Sequence, residues 1–214
     1  MKLYHYVHCP FCIRVRMALG LLNIEFDSIV LPYNDEETPK KLTGVKMLPI
    51  FTFKDTLSSN ESLEIIEKID ERNILQMEKL QSEERKSVED LLSKLGNDVH
   101  SLCMPYWIWT PEFDNTSRAY FQQKKELKRG SFNKLIQNKA QFLENFSKNL
   151  EALIPQIEKF YKSDSLTIFD IMIASHIWGM YIFPEYQFPK AVHDYLQRVK
   201  AECRFDYHID FWKD

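Results

Sequence analysis

Lys2-Leu3-Tyr4-His5-Tyr6-Val7, then Cys9-Pro10-Phe11-Cys12, then Ile13 to Leu22, is the stretch whose reading decides the fold. The first six residues read as a short strand. Behind the cysteines, Ile13, Met17 and Leu21, with Val15, Ala18 and Leu22, recur at helical spacing. The pattern is therefore strand, tight turn, helix, with two thiols on the turn. Cys9 falls at the N-cap, and Pro10 at the first helical position, where its missing N–H leaves nothing unpaired. Cys12 lies one helical turn on, so the two sulfurs can meet.

A helix N-terminus carries partial positive charge and unpaired N–H groups, which favour a thiolate at Cys9. The first cysteine of a Cys-X-X-Cys in such a place drops from about 8.5 to roughly 3.5–7.5. Cys9 is then the expected nucleophile and Cys12 a protonated resolving thiol. Half of a structural zinc site is the competing reading, but it needs two further ligands at short spacing. Cys103 and Cys203 are lone and distant. The redox reading prevails, and no metal is expected.

Composition narrows the class. The chain has 214 residues, 44% of them hydrophobic and 28% charged, enough for a full core with an ordinary polar surface. A net charge of −3 carries no electrostatic footprint for nucleic acid. The basic run Lys124, Lys125, Lys128, Arg129 reads as a solvated helix face. Four cysteines and five glycines do not suit a disulfide-stapled secreted fold. A strand at the N-terminus leaves no room for an apolar leader. The most apolar stretch, Ile168 to Phe183, is too short to span a bilayer and contains Asp170 and His176. A reducing, cytoplasmic setting with no membrane partner is the expectation.

Strand and helix signals alternate over residues 1–72. Ile24 to Leu31 reads as a second strand, Asp35 to Leu42 as a short helix, and Met47 to Phe53 as a third strand. Lys54-Asp55 turns into a short partner strand, Thr56 to Ser59, and Asn60-Glu61-Ser62 opens a helix with Leu63, Ile66 and Ile69 on one face. The order βαβαββα is the thioredoxin-type layout, a mixed sheet with helices on both sides. Residues 73–83 read as a linker lying on a surface, and 84–214 as all-helical. Val88 to Cys103 predicts a helix ended by Pro105. Phe132 to Tyr161 predicts one long helix, or two with a kink near Pro155. Ile168 to Ile182 and Ala191 to Cys203 are two more, the first opened by a Thr167-x-x-Asp170 capping box. Cys103 and Cys203 read as inert helix residues, and His5 and His8 as satisfied or exposed histidines flanking the site.

A thioredoxin-like domain followed by an all-helical one resembles the glutathione-S-transferase architecture. Met47-Leu48-Pro49-Ile50 is similar to that architecture's cis-proline segment, and Glu61-Ser62 to its Glu/Gln-Ser pair. A closer likeness is carried by Cys9-Pro10-Phe11-Cys12, Asn34 to Pro39, Gly44 and Lys46, and Tyr120-Phe121 with Lys124-Lys125. Together these resemble the bacterial glutaredoxin 2 family, the glutaredoxins built on the transferase-like fold. Phe11 stands where tyrosine is more usual, and Leu48 where valine is.

The resemblance implies a glutathione-dependent thiol–disulfide oxidoreductase acting on glutathione mixed disulfides and protein disulfides. Cys9 and Cys12 would be catalytic. Leu48, before Pro49, would offer its backbone to the cysteine of glutathione, and Glu61 and Ser62 would grip the γ-glutamyl carboxylate. Pro10 and Phe11 border the same peptide, and Lys46 would pair with one of its carboxylates by charge complementarity. Glutathione is the expected co-substrate, disulfide-bearing or glutathionylated proteins are the partners, and the chain acts as a monomer. The same scaffold also carries glutathione transferases, dehydroascorbate reductases and non-catalytic interaction modules. The cysteine pair argues against the modules. It would form a disulfide with glutathione where a transferase stabilises the glutathione thiolate.

Overall fold

Lys2–His5 (β1) pairs in parallel with Asp27–Val30 (β2) and antiparallel with Ile50–Thr52 (β3), which pairs antiparallel with Ser58–Ser59 (β4). This is a computed structural model describing residues 1–55 and 57–205. The sheet order is β2-β1-β3-β4. Register follows from burial: Leu3, opposite Ser28 on one side and Phe51 on the other, is fully buried. Three helices complete the N-terminal half: Pro10–Leu21 (α1), Glu37–Thr43 (α2) and Ser62–Ile69 (α3). The expected order βαβαββα is the observed one. The expected partner strand from Thr56 is seen at Ser58–Ser59; Leu57 stands outside it, and Thr56 lies outside the described residues.

α1 carries no polar face. Ile13, Val15, Met17, Ala18 and Leu19 are buried, and so is Arg14. The helix packs against α3 and the helical half, and its buried residues share one core with Leu3 and Phe51 of the sheet. Gly20 is what lets it sit there: a Cβ at this position would lie 1.9 Å from the carbonyl oxygen of Cys203.

The connecting segment differs from a surface linker. Met77–Gln81 forms a 3₁₀ turn, and Leu75, Met77 and Leu80 are buried. The carboxylate of Asp70 accepts from the Ile74 and Leu75 N–H groups at 2.8 Å each, and the Leu75 carbonyl accepts from Ile168 N–H at 2.8 Å. Backbone and side chains thus bind the connector to the helical half.

That half comprises Glu84–Trp107 (α4), Asn115–Arg129 (α5), Phe132–Gln137 (α6), Lys139–Glu151 (α7), Ile168–Ile177 (α8) and Lys190–Glu202 (α9). α8 is buried almost all round, as a core helix must be, and it packs against both α1 and α4. Its capping box forms as expected. Asp170 accepts from Thr167 N–H at 2.8 Å and also takes bonds from Tyr161 N–H (2.7 Å) and Tyr195 OH (3.0 Å).

Two expectations need correction. Pro105 does not end α4, which runs on to Trp107; a proline there removes only one i→i−4 bond, and the last turn survives it. The 132–161 stretch breaks at Asn138, between α6 and α7, and its α-helix ends at Glu151, ahead of the 3₁₀ turn that holds Pro155. The aromatic tail beyond Phe205 lies outside the described residues.

Candidate active site

Cys9 occupies the N-cap of α1 in extended backbone (φ −67°, ψ 121°), and Pro10 is the first helical residue. The carbonyl of Cys9 accepts the first helical bond from Ile13 N–H at 2.9 Å. This leaves the sulfur beside the first N–H groups of the helix, although its side chain makes no capping bond. The Cys12 side chain is fully buried beneath, and its Sγ accepts from Tyr6 N–H at 3.4 Å.

The two thiols are driven apart in acidity. Cys9 is pulled down to about 7, chiefly because the Cys12 thiol donates a hydrogen bond to its sulfur. The backbone N–H groups and the charge of Lys125 add to this, against the opposing effect of burial. Cys12 is pushed well above the ordinary thiol range, first by burial and then by its bond to Cys9. One thiol is therefore ionised near neutral pH while its neighbour keeps its proton. Cys103 and Cys203 are buried and pushed upward by that burial.

Opposite Cys9 lies the turn before β3. The Leu48–Pro49 peptide is cis, both residues are buried, and the Leu48 carbonyl oxygen stands 4.0 Å from Cys9 Sγ. Cys9, Pro10, Phe11, Lys46 and Leu48 line one side of a cleft of about 430 Å³. The helical half supplies the other wall, including Trp107, Phe113, Phe121 and Lys125.

Glu61 and Ser62 open onto a separate, neighbouring cleft of about 520 Å³, and Phe11, 47% exposed, borders both. Glu61 is the N-cap residue of α3, yet its side chain makes no capping bond. The Ser62 hydroxyl accepts from the buried Arg14 guanidinium at 3.2 Å, and Arg14 also packs on the Phe11 ring, 5.1 Å from its centroid. Burial holds Arg14 at about 10, so it stays a cation at neutral pH. The predicted site residues thus fall into two adjacent groups joined through Phe11 and Arg14. Arg14 carried no sequence signal beyond being a charge on an apolar helix.

Lys46 reaches the first cleft, but its ammonium is engaged. It donates to the Tyr33 carbonyl at 2.8 Å, lies 4.1 Å from the Tyr120 ring centroid, and sits 3.9 Å from Glu36. Glu36 in turn accepts from Tyr120 OH, which ties α2 to α5 across the cleft mouth. His5 bonds to Ser28 at 2.8 Å and is lowered to about 3 by burial. His8 has Nε2 placed 2.6 Å from Glu112 and 3.1 Å from Thr110, stacked on Trp107. Both rings are buried and engaged through Nε2. Trp107 does line the cleft, whereas Trp109 is 69% exposed and packs with Arg118.

Of the basic run on α5, Lys124 and Lys128 are exposed as expected of a solvated face, whereas Lys125 and Arg129 are not. Lys125 turns into the cleft, over the rings of Tyr33 (5.4 Å) and Phe121 (5.3 Å), and Arg129 bonds Asn97 and Ser101. Its signal was present in the i, i+4 placement of Lys125 beside the apolar Phe121, on the buried side of an amphipathic helix.

Residues 87–207 match the family model described as Glutaredoxin 2, C terminal domain. Glutaredoxin 2 of Escherichia coli K12 is 31% identical over 211 residues, covering 96% of this chain and 97% of that one. The chain belongs to the glutaredoxin 2 family. Residues 3–75 also match the Glutathione S-transferase, N-terminal domain model. Among solved structures, glutaredoxin 2 of Salmonella typhimurium in complex with glutathione superposes with a TM-score of 0.86 at 28% identity, covering 96% of this chain and 95% of that one. A glutathione transferase of Phanerochaete chrysosporium superposes at 0.80 with 14% identity, over 96% of this chain and 97% of that one, which places this glutaredoxin 2 member on the transferase-like fold.

Proposed function

We propose that this glutaredoxin 2 member reduces glutathione mixed disulfides and protein disulfides, with Cys9 as nucleophile. The observation that carries the reading is the placement of the pair: Cys9 at the N-terminus of α1, on the cleft wall opposite the Leu48–Pro49 turn, with Cys12 fully buried beneath it, which draws their acidities apart. In the first step the Cys9 thiolate attacks the glutathione sulfur of a mixed disulfide. A Cys9–glutathione disulfide forms, the old S–S bond breaks, and the other thiol leaves as a thiolate that takes a proton from solvent. A second glutathione, as thiolate, then attacks the glutathione sulfur of that intermediate. This yields oxidised glutathione and restores the Cys9 thiolate. With a protein disulfide, Cys9 first forms a mixed disulfide with one protein sulfur and frees the other; Cys12 then loses its proton and attacks Cys9 Sγ, which breaks that bond and releases the reduced protein. Two glutathiones then reduce the internal bridge, one disulfide for two thiols oxidised.

Glutathione lies, in this reading, from Cys9 to the N-terminus of α3. The backbone of Leu48, held in place by Pro49, pairs with its cysteine residue, and Pro10 and Phe11 border that residue. The α3 N-terminus with Ser62 and Glu61 receives the γ-glutamyl end, where unpaired helix N–H groups favour a carboxylate. The Arg14 guanidinium behind Ser62 supports this placement. Lys46 acts less as a carboxylate ligand than as a clasp, since Tyr33, Tyr120 and Glu36 already hold its ammonium. We assign residues 1–72 to the thioredoxin-like domain, 73–83 to the connector and 84–214 to the helical domain. The chain works as a cytoplasmic monomer on glutathionylated or disulfide-bearing proteins. Reduction of a glutathione mixed disulfide, coupled to glutathione reductase, tests the reading; no turnover with the intact cysteine pair would sink it.

A further inference from the structure

We propose that Lys125, supplied by the helical domain, is the positioning residue that keeps the Cys9 sulfur anionic, so that α5 completes a site otherwise built on the thioredoxin-like domain. The inference rests on the reading of Cys9 as a thiolate nucleophile. Lys125 shares the cleft with Cys9, and its ammonium is flanked by the faces of Tyr33 and Phe121. Those rings direct the charge inward and favour it through their quadrupoles. Among the described residues no carboxylate lies within ion-pair distance of Lys125. A half-buried cation without an anion calls for one, and the sulfur of Cys9 is the anion its cleft provides.

The other charged groups around the cleft are committed elsewhere or stand away from it. On the thioredoxin-like side, Lys46 is held by Tyr33 and Glu36, and Arg14 by Ser62 and Phe11. His8 faces Glu112, and Tyr6 and Tyr33 are held neutral, their hydroxyls raised first by burial. On the helical side Arg129 bonds Asn97 and Ser101, His100 is buried and lowered to about 4, and Lys128 is exposed at the rim. The attraction is mutual: Lys125 makes Cys9 more acidic, and the Cys9 charge opposes the desolvation of Lys125.

The test is the ultraviolet absorbance of the Cys9 thiolate against pH in the full-length reduced protein, for wild type and for Lys125→Met, Lys125→Glu and Lys125→Arg. The Met variant should titrate about one pH unit higher than wild type, the low end for loss of a nearby opposite charge. The Glu variant should titrate higher still, and the Arg variant with wild type. The rate of disulfide attack supplies a readout that a structural role would not move. At pH 7 fewer thiolates slow the Met variant, while its more basic thiolate attacks faster, leaving roughly a two-fold loss that reverses to a gain at high pH. Should the Met variant not fold, the Glu and Arg variants read the same order. A wild-type Cys9 near 7 with an unmoved Met or Glu variant would overturn this inference alone. A wild-type thiol in the ordinary cysteine range would overturn the thiolate reading and this inference with it.

Discussion

At the scale of single residues, the Cys12 thiol beneath Cys9 is the main cause of the lowered pKa of Cys9. Cys9→Ser should abolish turnover on every disulfide, because Cys103 and Cys203 are buried and driven the other way in acidity. A coupled assay retaining more than a few per cent of wild-type rate would show the nucleophile to be another group. Cys12 serves twice, as resolving thiol and as donor. Cys12→Ser keeps a donor, so it should retain reduction of glutathione mixed disulfides while losing the two-thiol route. Cys12→Ala removes the largest cause of the low Cys9 value and should raise it well above 7. The sign follows from an acid whose pKa is lowered: thiolate and activity are present above about 7 and fall as pH drops through it. In Cys12→Ala the same fall begins at higher pH. Coincident pH–rate profiles for the Ser and Ala variants would rule out the donor role.

Elements carry the next layer, through two close fits. α1 can approach the end of α9 only because residue 20 has no side chain, since a Cβ there meets the Cys203 carbonyl at 1.9 Å. Gly20→Ala must push one backbone away from the other. Overpacking of this kind costs about 1–3 kcal/mol. Thermal melting should fall by several degrees, and an unchanged melting temperature would mean that the turn after α9 yields freely. Asp170 is the second fit. It lies fully buried and joins the start of α8 to Tyr161 and Tyr195 as well as to Thr167. Asp170→Ala strands buried donors as well as uncapping a helix, so a loss of about 2–4 kcal/mol is expected, more than a cap alone. Denaturant unfolding measures it; a loss of under 1 kcal/mol would reduce Asp170 to an ordinary cap. The thiolate titration of Cys9 should not move.

For the whole molecule, the core is continuous between the two halves. Ile13, Val15 and Met17 of α1 belong to the same buried cluster as Ile168, Ile171 and Met172 of α8. Polar ties cross with it, from Tyr120 to Glu36, His8 to Glu112, and Ile168 to Leu75. An interface of this size and polarity fixes domain orientation. Residues 1–75 expressed alone would expose the outer side of α1 and keep only a small core, near the lower limit for stability. That fragment should lack a cooperative melt, and the intact chain should unfold in one transition whether followed at helix or at tryptophan. A fragment that melts cooperatively and turns over disulfides would show that the first domain stands alone.

Local rules were enough to read much of this protein from its sequence. The strand–CxxC–helix unit, with proline at the first helical position, specified where Cys9 sits and which way its acidity moves. Period-two and period-3.6 patterns placed βαβαββα and the all-helical half, and Thr167 with Asp170 announced the start of α8. Boundaries were less legible, because Pro105 and Asn138 act through the fate of single backbone bonds that only the packed helices decide. The helical wall of the site was legible only as the i, i+4 pair Phe121 and Lys125, with nothing to say what it faces. Lys125 resembles any lysine in a basic run until α5 is laid across the cleft beside Tyr33, and Arg14 acquires Ser62 only when α1 and α3 meet. Hydrophobic periodicity records which side of an element is buried, but not which distant element buries it. The cysteine chemistry was therefore set by neighbours in sequence, while the charges that face it were set by neighbours in space.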